Sequence, residues 1–358
     1  PLNHNLIGIF NPNLDDIFIQ EINKWINSSK WLEIFYMLKS IMIYFFSFIA
    51  FIIFFLTIFI LSQLFIKMKI TFPDIQINNE VTEYINDKEE KIDSLEQNAK
   101  KQIIWNSISN KKTEYAIVYI HGSFATGFQQ RESLIKIADK LEANLFISRL
   151  SGHGVGFEGT KGVSAYDFIE DTAEAIAVGN KIGNKVILIG FSAGSGLAML
   201  ASQDQKLKSK IHSLVLIAPP TLTVRPIFVL ASIGLFFKRT HEFNFPKFNG
   251  LSYEEWGPYW VNKFESSLPR AFWKVLSSVK IKNDIDQLPM IIFYDKRDRV
   301  VNFERVEKIF DKWSGPKKII DIKAVNGGRN KHNLIGILNP TQDDVFVNEI
   351  HKWISTNP

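Results

Sequence analysis

The sequence predicts an α/β domain with a mostly parallel, doubly wound sheet, preceded by one membrane-spanning helix. Three observations predict this architecture. Short apolar runs alternate with helical periods from Lys101 to Pro358, a stretch of 27 residues from Ser40 to Ile66 carries no charge, and 358 residues exceed one average domain. Hydrophobic residues make up 46% of the chain and charged residues 22%, so a disordered or fibrous protein is excluded.

The composition also excludes several classes of site and partner. The chain contains no cysteine, which rules out disulfides, cysteine-based metal sites and a thiol nucleophile. No pair of histidines has the spacing of a metal-binding motif, so we expect no metal and no cofactor. The net charge of +5 is small and spread along the chain, without an arginine-rich run. We therefore expect no nucleic-acid partner.

The uncharged stretch from Ser40 to Ile66 lies between Lys39 and Lys67. A helix of this length spans roughly 40 Å, against about 30 Å of hydrocarbon in a bilayer. A core helix is rarely so long, and a signal peptide has a shorter apolar region. We predict a transmembrane helix at residues 38–67. Lysines are slightly more numerous before it than after it, which favours an internal N-terminus and a periplasmic domain.

The N-terminus repeats the C-terminus. Residues 4–26 align without gaps to residues 332–354, and sixteen of the 23 positions are identical. We interpret residues 1–36 as the tail of a preceding homologous unit, joined either in a natural tandem protein or across a gene junction. Met37 is a plausible natural start.

Residues 68–100 are polar and carry charges of both signs. Val81, Ile85, Ile92 and Leu95 follow one another at helical spacing and form a narrow apolar stripe. We predict a surface helix or stalk that joins the anchor to the domain; the stripe is short for a self-associating coiled coil.

The α/β domain is assigned to residues 101–358 on its apolar runs, which are typical of strands buried on both faces. The predicted strands are Gln102–Ser107, Tyr115–Ile120, Asn144–Ser148, Lys185–Ile189, Ser213–Ala218, Met290–Tyr294 and Lys318–Lys323. Ligands of such sheets bind beyond the carboxyl ends of the strands. About 70 residues separate the fifth strand from the sixth, too many for a loop, so we predict an inserted cap at residues 221–288.

The fourth predicted strand runs directly into Gly190-Phe191-Ser192-Ala193-Gly194, and a helix rich in small residues follows. This is a G-x-S-x-G sequence at a strand-to-helix turn. Such a turn raises the serine hydroxyl above the sheet, and the glycines Gly190 and Gly194 let the chain close around it. We predict that Ser192 is a nucleophile; the alternative is an ordinary Gly/Ser turn.

A serine nucleophile needs a base and a group that orients the base. Asp295 and Asp298 both follow the strand Met290–Tyr294, and we favour Asp298, with Asp295 as a turn former. The base is predicted to be His332, which follows the last strand in the chain order that this architecture requires. His121 and His153 precede glycines, and we expect them to order turns.

The tetrahedral intermediate of acyl transfer requires two backbone N–H donors. One is expected from Ala193, the residue after the nucleophile. The other is expected from the loop after Tyr115–Ile120, where either Ser123 or Phe124 can supply it. Gly122 allows this backbone to turn towards the substrate.

Taken together, these segments resemble the α/β-hydrolase superfamily, and within it the bacterial lipase and monoacylglycerol-lipase-like group, also described as serine-aminopeptidase-like. The matching segments are YIHGSF (119–124), SRLSGHG (148–154), GFSAGSG (190–196), YDKRDRV (294–300) and KHN (331–333). The resemblance covers roughly Lys101 to Pro358 and implies an α/β-hydrolase fold with Ser192, Asp298 and His332 as the catalytic triad. Ser151 stands where the family usually has proline.

We therefore expect a membrane-anchored serine hydrolase, of the carboxylesterase or lipase class, in the bacterial inner membrane. Its expected partners are the membrane and a small acyl ester or lipid substrate, with a lipophilic acyl chain favoured by the aromatic cap and the anchor. A thioesterase, amidase or peptidase would use the same triad. A catalytically silent hydrolase fold that serves as a membrane scaffold is the alternative from another class, against which the complete triad argues.

Overall fold

The structure is a computed structural model that describes residues 12–65, 68–220, 240–242, 260–279, 288–325 and 331–357. The chain divides into two compact units between Ser62 and Gln63. In the second unit, the described strands form a seven-stranded sheet and a separate two-stranded sheet. The predicted α/β class is confirmed.

The first unit contains two helices, α1 (Pro12–Ile26) and α2 (Ser29–Phe65). Helix α2 begins before the predicted start at residue 38 and includes residues 40–65 of the uncharged stretch. It contributes the only stretch in the described part of the chain that is long and apolar enough to cross a membrane. The side chains of α2 are largely exposed.

The second unit is built on a mixed sheet in which only the first strand is antiparallel to its neighbour. In spatial order the strands are β1 (Gln102–Ile104), β3 (Asn144–Ile147), β2 (Thr113–Ile120), β4 (Gly183–Phe191), β5 (Ser213–Ile217), β8 (Met290–Tyr294) and β9 (Lys317–Asp321). All seven predicted strands are confirmed, and their ends differ from the prediction by at most three residues.

Helices cover both faces of this sheet, and buried apolar side chains form a core on each face. Their bounds are α4 (Arg131–Lys140), α5 (Ala165–Ile182), α6 (Ala193–Ser202), α7 (Gln205–Lys208), α9 (Phe303–Lys312) and α10 (Asp343–Thr356), and α3 (Val81–Glu89) precedes them in the chain. The central strands β4 and β5 are buried almost throughout, which explains their continuous apolar sequences.

The two copies of the repeated sequence differ in environment. In α10, Phe346 and Ile350 are fully buried against the sheet. At the matching positions of α1, Phe18 and Ile22 are 66% and 39% exposed. The same apolar face is therefore a core face in one copy and is uncovered in the other.

Residues 68–100 are an integral part of the second unit. Phe72, Ile77, Val81 and Ile85 are buried in the core on the side of α5. Val81 and Ile85 of the predicted apolar stripe thus pack on the domain, whereas Ile92 and Leu95 are only partly buried. Within the segment, only Val81–Glu89 is α-helical.

Buried charges hold this segment in place. The carboxylate of Glu174 in α5 accepts hydrogen bonds from Tyr84 Oη and Lys88 Nζ and pairs with Lys101 Nζ. Burial opposes ionisation of Glu174, but the two lysines outweigh it and hold the pKa of Glu174 below its usual value. A second buried pair joins Arg149 Nη2 to Glu89 at 2.8 Å.

The predicted cap lies largely outside the described residues, including its aromatic run at 226–237. Its described parts are a two-stranded sheet of β6 (Thr240–Glu242) and β7 (Lys263–Glu265), followed by helix α8 (Ser267–Ser277). Helix α8 contacts α5 and α6. Its apolar residues Leu268, Phe272 and Val275 are buried, which joins the cap to the main domain.

We expect the substitution Glu174→Gln to destabilise the protein, because it keeps the size of the side chain but leaves Lys101 unpaired in the interior. The free energy of unfolding at pH 7, measured by denaturant in detergent, should fall by about 3 kcal/mol. The lowered pKa makes the contribution of Glu174 complete above its unfolded pKa of about 4.3 and removes it as pH falls through the folded pKa. The difference between variant and wild type should therefore shrink in acid.

The control for this prediction is Lys210→Ala, which breaks the exposed pair of Lys210 with Asp74. It should change the free energy of unfolding by about 0.5 kcal/mol or less. Equal losses in the two variants would contradict the role given to Glu174.

Candidate active site

Ser192 occupies a strained turn between β4 and α6. Its φ of 49° and ψ of −119° are rarely adopted by a residue with a side chain. The backbone N–H of Ser192 donates to the carbonyl of Ile217 in β5 at 2.8 Å, which ties the turn to the neighbouring strand. The predicted strand–turn–helix context of the G-x-S-x-G sequence is present.

The two motif glycines are required by close backbone contacts. A Cβ atom at Gly190 would lie 2.5 Å from the backbone nitrogen of Ser195, and one at Gly194 would lie 2.1 Å from the carbonyl oxygen of Ile120. Real Cβ atoms do not approach other atoms so closely. Gly190 therefore allows the turn to close, and Gly194 allows α6 to approach β2.

The structure brings Ser192, His332 and Asp298 together from three separate loops. Ser192 Oγ lies 2.9 Å from His332 Nε2, and His332 Nδ1 lies 2.7 Å from Asp298 Oδ2. With carboxylate at one nitrogen and hydroxyl at the other, the imidazole is assigned as donating through Nδ1–H and accepting the serine proton at Nε2. The ring of Phe191 packs beside the imidazole at 5.4 Å between centroids.

The two candidate aspartates have different surroundings. Asp298 Oδ1 accepts the N–H groups of Val300 and Val301, which leaves Oδ2 for the histidine. Asp295 is turned away and binds Arg297 and the backbone N–H of Ala324. Burial opposes ionisation of Asp295, but Arg297 and these hydrogen bonds hold its pKa below the usual value. Asp295 thus orders the loop that carries Asp298.

The candidate oxyanion donors lie on either side of Ser192. Ala193 is the first residue of α6, where backbone N–H groups lack intrahelical partners. The loop with Ser123 and Phe124 follows β2, the strand beside β4. A Cβ at Gly122 would lie 3.3 Å from Ser192 Cβ, so this loop passes directly alongside the nucleophile.

Two groups of contacts at the site, one from the cap and one beside His332, were not predicted from the sequence. The cap residue Val261 donates its N–H to the carbonyl of Phe124 at 2.8 Å, and Trp260 forms a β-bridge with Ala125. Gln129 Nε2 donates to Asn333 Oδ1 at 3.2 Å, next to His332. The sequence carries little signal for either contact, because isolated bridges and single amides have no periodicity.

The described residues include no group of three or more His, Asp or Glu side chains arranged to hold a metal ion. Every predicted site residue, by contrast, is described. The arrangement provides a hydroxyl, a base in hydrogen-bond contact with it, an oriented carboxylate and adjacent backbone donors. These are the groups that acyl transfer requires.

Comparison with solved structures identifies the same fold in lipolytic enzymes. A metagenome-derived lipolytic enzyme has a TM-score of 0.55 and 13% identity, with 73% of this chain and 99% of the other covered. A monoacylglycerol lipase from Paleococcus ferrophilus has a TM-score of 0.51 and 15% identity, with 72% and 98% covered. A soluble variant of monoglyceride lipase from Saccharomyces cerevisiae has a TM-score of 0.53 and 13% identity, with 72% and 92% covered.

Among curated protein sequences, none matches this chain. The sequence profile of the alpha/beta hydrolase family does match, at residues 117–328. This span exceeds half of the chain and includes the turn at Ser192 and the loop of Asp298. It agrees with the observed sheet order and with the strained turn between β4 and α6. The protein belongs to the alpha/beta hydrolase family.

Proposed function

We propose that the protein is a membrane-anchored serine hydrolase that cleaves carboxylic esters. The observation that carries this proposal is the hydrogen-bonded series from Ser192 Oγ through His332 to Asp298, with distances of 2.9 and 2.7 Å. Ser192 stands at a strained turn and is only partly buried. Ordinary surface serines have neither feature.

The proposed reaction begins with attack of Ser192 Oγ on the ester carbonyl carbon while His332 Nε2 takes the hydroxyl proton. Asp298 holds the imidazole tautomer and stabilises the imidazolium. The tetrahedral intermediate collapses, His332 returns the proton to the leaving alkoxide, and the alcohol departs. A water molecule then attacks the acyl-enzyme carbonyl carbon while His332 Nε2 takes one of its protons. The second tetrahedral intermediate collapses with cleavage of the bond to Ser192 Oγ, His332 returns the proton to Oγ, and the carboxylic acid is released.

Negative charge on the carbonyl oxygen would be stabilised by N–H groups that need little rearrangement. We assign one donor to Ala193 and the other to Ser123 or Phe124. Both regions are held by the fold, the first by α6 and the second by the contact of Phe124 with Val261. Preorganised donors of this kind contribute about 3 kcal/mol each to transition-state stabilisation.

We infer a lipophilic acyl group as the substrate class. The oxyanion loop is lined on the cap side by aromatic residues, with Phe124 and Phe264 packed at 5.0 Å between ring centroids. A lipolytic enzyme and a monoacylglycerol lipase share this fold, which supports the choice. Because thioesters and amides are attacked by the same triad, the substrate series below also includes them.

We further propose that α2 anchors the protein in the bacterial inner membrane with the catalytic domain on the periplasmic side. The length and apolar composition of this helix support the anchor. Protease added to intact spheroplasts should cleave the catalytic domain. Protection until lysis would overturn the periplasmic placement.

Labelling with a fluorophosphonate probe tests the activated serine. The detergent-solubilised protein should be labelled, and Ser192→Ala should abolish labelling because the nucleophile is removed. His332→Ala should reduce it by about 10⁴-fold because no base remains to accept the proton. Labelling is read by gel fluorescence and by mass spectrometry of the modified peptide.

Two matched controls are used. Ser202→Ala removes another serine of α6, and His212→Ala removes the histidine just before β5, at the amino ends of the parallel strands. Both should retain labelling. A folded wild-type protein that is not labelled in detergent or in lipid vesicles would favour the silent scaffold and overturn the hydrolase.

Substitutions of Asp298 and Asp295 should have different effects on activity and stability. Asp298→Asn should lower kcat for an ester by about 10⁴-fold, because the amide no longer supports the productive imidazole tautomer. Asp295→Asn should retain most of kcat but lower the unfolding temperature, because Arg297 loses its buried partner. Circular dichroism melting and initial rates provide both measurements. The reverse pattern would assign the acid to Asp295.

Esters of increasing acyl length test the substrate class. We expect kcat/KM for p-nitrophenyl esters to rise by about fourfold per methylene, because each buried CH₂ contributes about 0.8 kcal/mol. A maximum at acetate would contradict a lipophilic substrate. Thioester and anilide analogues with the best acyl chain serve as comparison, and turnover of either above that of the ester would reassign the leaving group.

A further inference from the structure

Two buried histidines lie directly behind the loop that approaches Ser192. His121 and His153 are both fully buried, and their ring centroids are 4.8 Å apart. Neither contacts Ser192 or His332 in the hydrogen-bond network of the triad. Buried imidazoles are uncommon unless their nitrogens are paired, so their partners reveal what they hold.

His121 is hydrogen-bonded to the first peptide of the loop, the one between Gly122 and Ser123. The backbone N–H of Leu150 donates to its Nε2 at 2.9 Å, so that nitrogen is unprotonated. The remaining proton is on Nδ1, which donates to the carbonyl of Gly122 at 2.8 Å. Burial lowers the pKa of His121 well below its usual value and keeps the ring neutral, with one fixed tautomer.

His153 is hydrogen-bonded to the second peptide of the loop, the one between Ser123 and Phe124. Its Nε2 lies 2.7 Å from the carbonyl oxygen of Ser123, and its Nδ1 lies 3.1 Å from the carbonyls of Leu150 and Ser151. Burial lowers the pKa of His153, so the ring carries one proton. We assign that proton to Nε2, where the contact is single and shortest. The ring is held from the other side by Phe272, at 5.8 Å between centroids.

The significance of these contacts follows from peptide geometry. In a trans peptide the C=O of one residue and the N–H of the next lie in one plane and point in opposite directions, and the described chain has no cis peptide. Fixing the carbonyl of Gly122 therefore fixes the N–H of Ser123. Fixing the carbonyl of Ser123 fixes the N–H of Phe124. These two N–H groups are the candidates for the second oxyanion donor, beside that of Ala193.

We propose that His121 and His153 are positioning residues that orient the peptide N–H groups of Ser123 and Phe124 for oxyanion binding. The proposal rests on the proposed hydrolase function, because it assigns these N–H groups to the oxyanion. Neither imidazole takes part in proton transfer, and each acts through the peptide that it holds. A purely structural role would instead predict a loss of stability with unchanged chemistry.

The test compares variants that differ in the hydrogen bond but not in size. His153→Gln retains an N–H donor that reaches the carbonyl of Ser123, whereas His153→Met fills similar space without a donor. For the best ester, we expect kcat of the Met variant to fall by about 10- to 100-fold, with KM changed by less than about threefold. The Gln variant should retain kcat within about fivefold. The pair His121→Gln and His121→Met is treated in the same way.

A trifluoromethyl ketone separates positioning from packing, because its adduct with Ser192 carries the oxyanion. Its inhibition constant should rise in the Met variants by the same factor as kcat/KM falls. The control is His212→Met. His212 lies just before β5, at the amino ends of the parallel strands, and its Nε2 is 3.1 Å from the carbonyl oxygen of Asn357. This variant should leave kcat and ketone affinity unchanged.

The outcomes distinguish the two proposals. Absence of both activity and labelling in the wild-type protein would contradict the proposed hydrolase function. If the wild type is active and the folded Met variants at both positions keep wild-type kcat and ketone affinity, the positioning role is wrong. If the Met variants do not fold, nitrogen NMR of histidine-labelled wild type decides. We expect His121 protonated at Nδ1 and His153 at Nε2, and the opposite tautomer at either ring would overturn the proposal.

Discussion

The site depends on one backbone constraint, the strained conformation of Ser192 between a buried strand and a helix. A φ of 49° in a serine is unfavourable by about 1 to 3 kcal/mol, so neighbouring structure must maintain it. The hydrogen bond to Ile217 does so from β5, and the close approach at Gly194 does so from β2. Because both contacts come from adjacent parallel strands, the register of the sheet determines the position of Ser192.

The other groups of the site are fixed by contacts between loops that are distant in sequence. Gln129 joins the loop before α4 to Asn333, next to the base. Val261 joins the cap to the oxyanion loop. His121 and His153 join that loop to the segment after β3. Each of these loops therefore has a partner in another loop, and these contacts preorganise the site.

The segment between the apolar helix and the sheet also belongs to the second unit. Its apolar residues enter the core, and its charges pair with Glu174 and Arg149 in the interior. Ile70 and Phe72 line a cavity with Leu200, at the end of α6 remote from Ser192. The chain thus enters the domain near the amino edge of the sheet and follows α5 towards the carboxyl edge, where Glu89 meets Arg149.

Local patterns in the sequence were sufficient to predict the α/β class, the seven strands of the main sheet and the turn at Ser192. Each of these features has a local signal, either an apolar run or glycines at fixed spacing around Ser192. The sequence also singled out Asp298 and His332, since chain order restricts where partners can follow strands. Only the tertiary structure turned Asp295 towards Arg297, buried the supposed stalk and placed His121 and His153 behind the oxyanion loop. These features depend on side-chain direction and on contacts between distant segments, which no local pattern encodes.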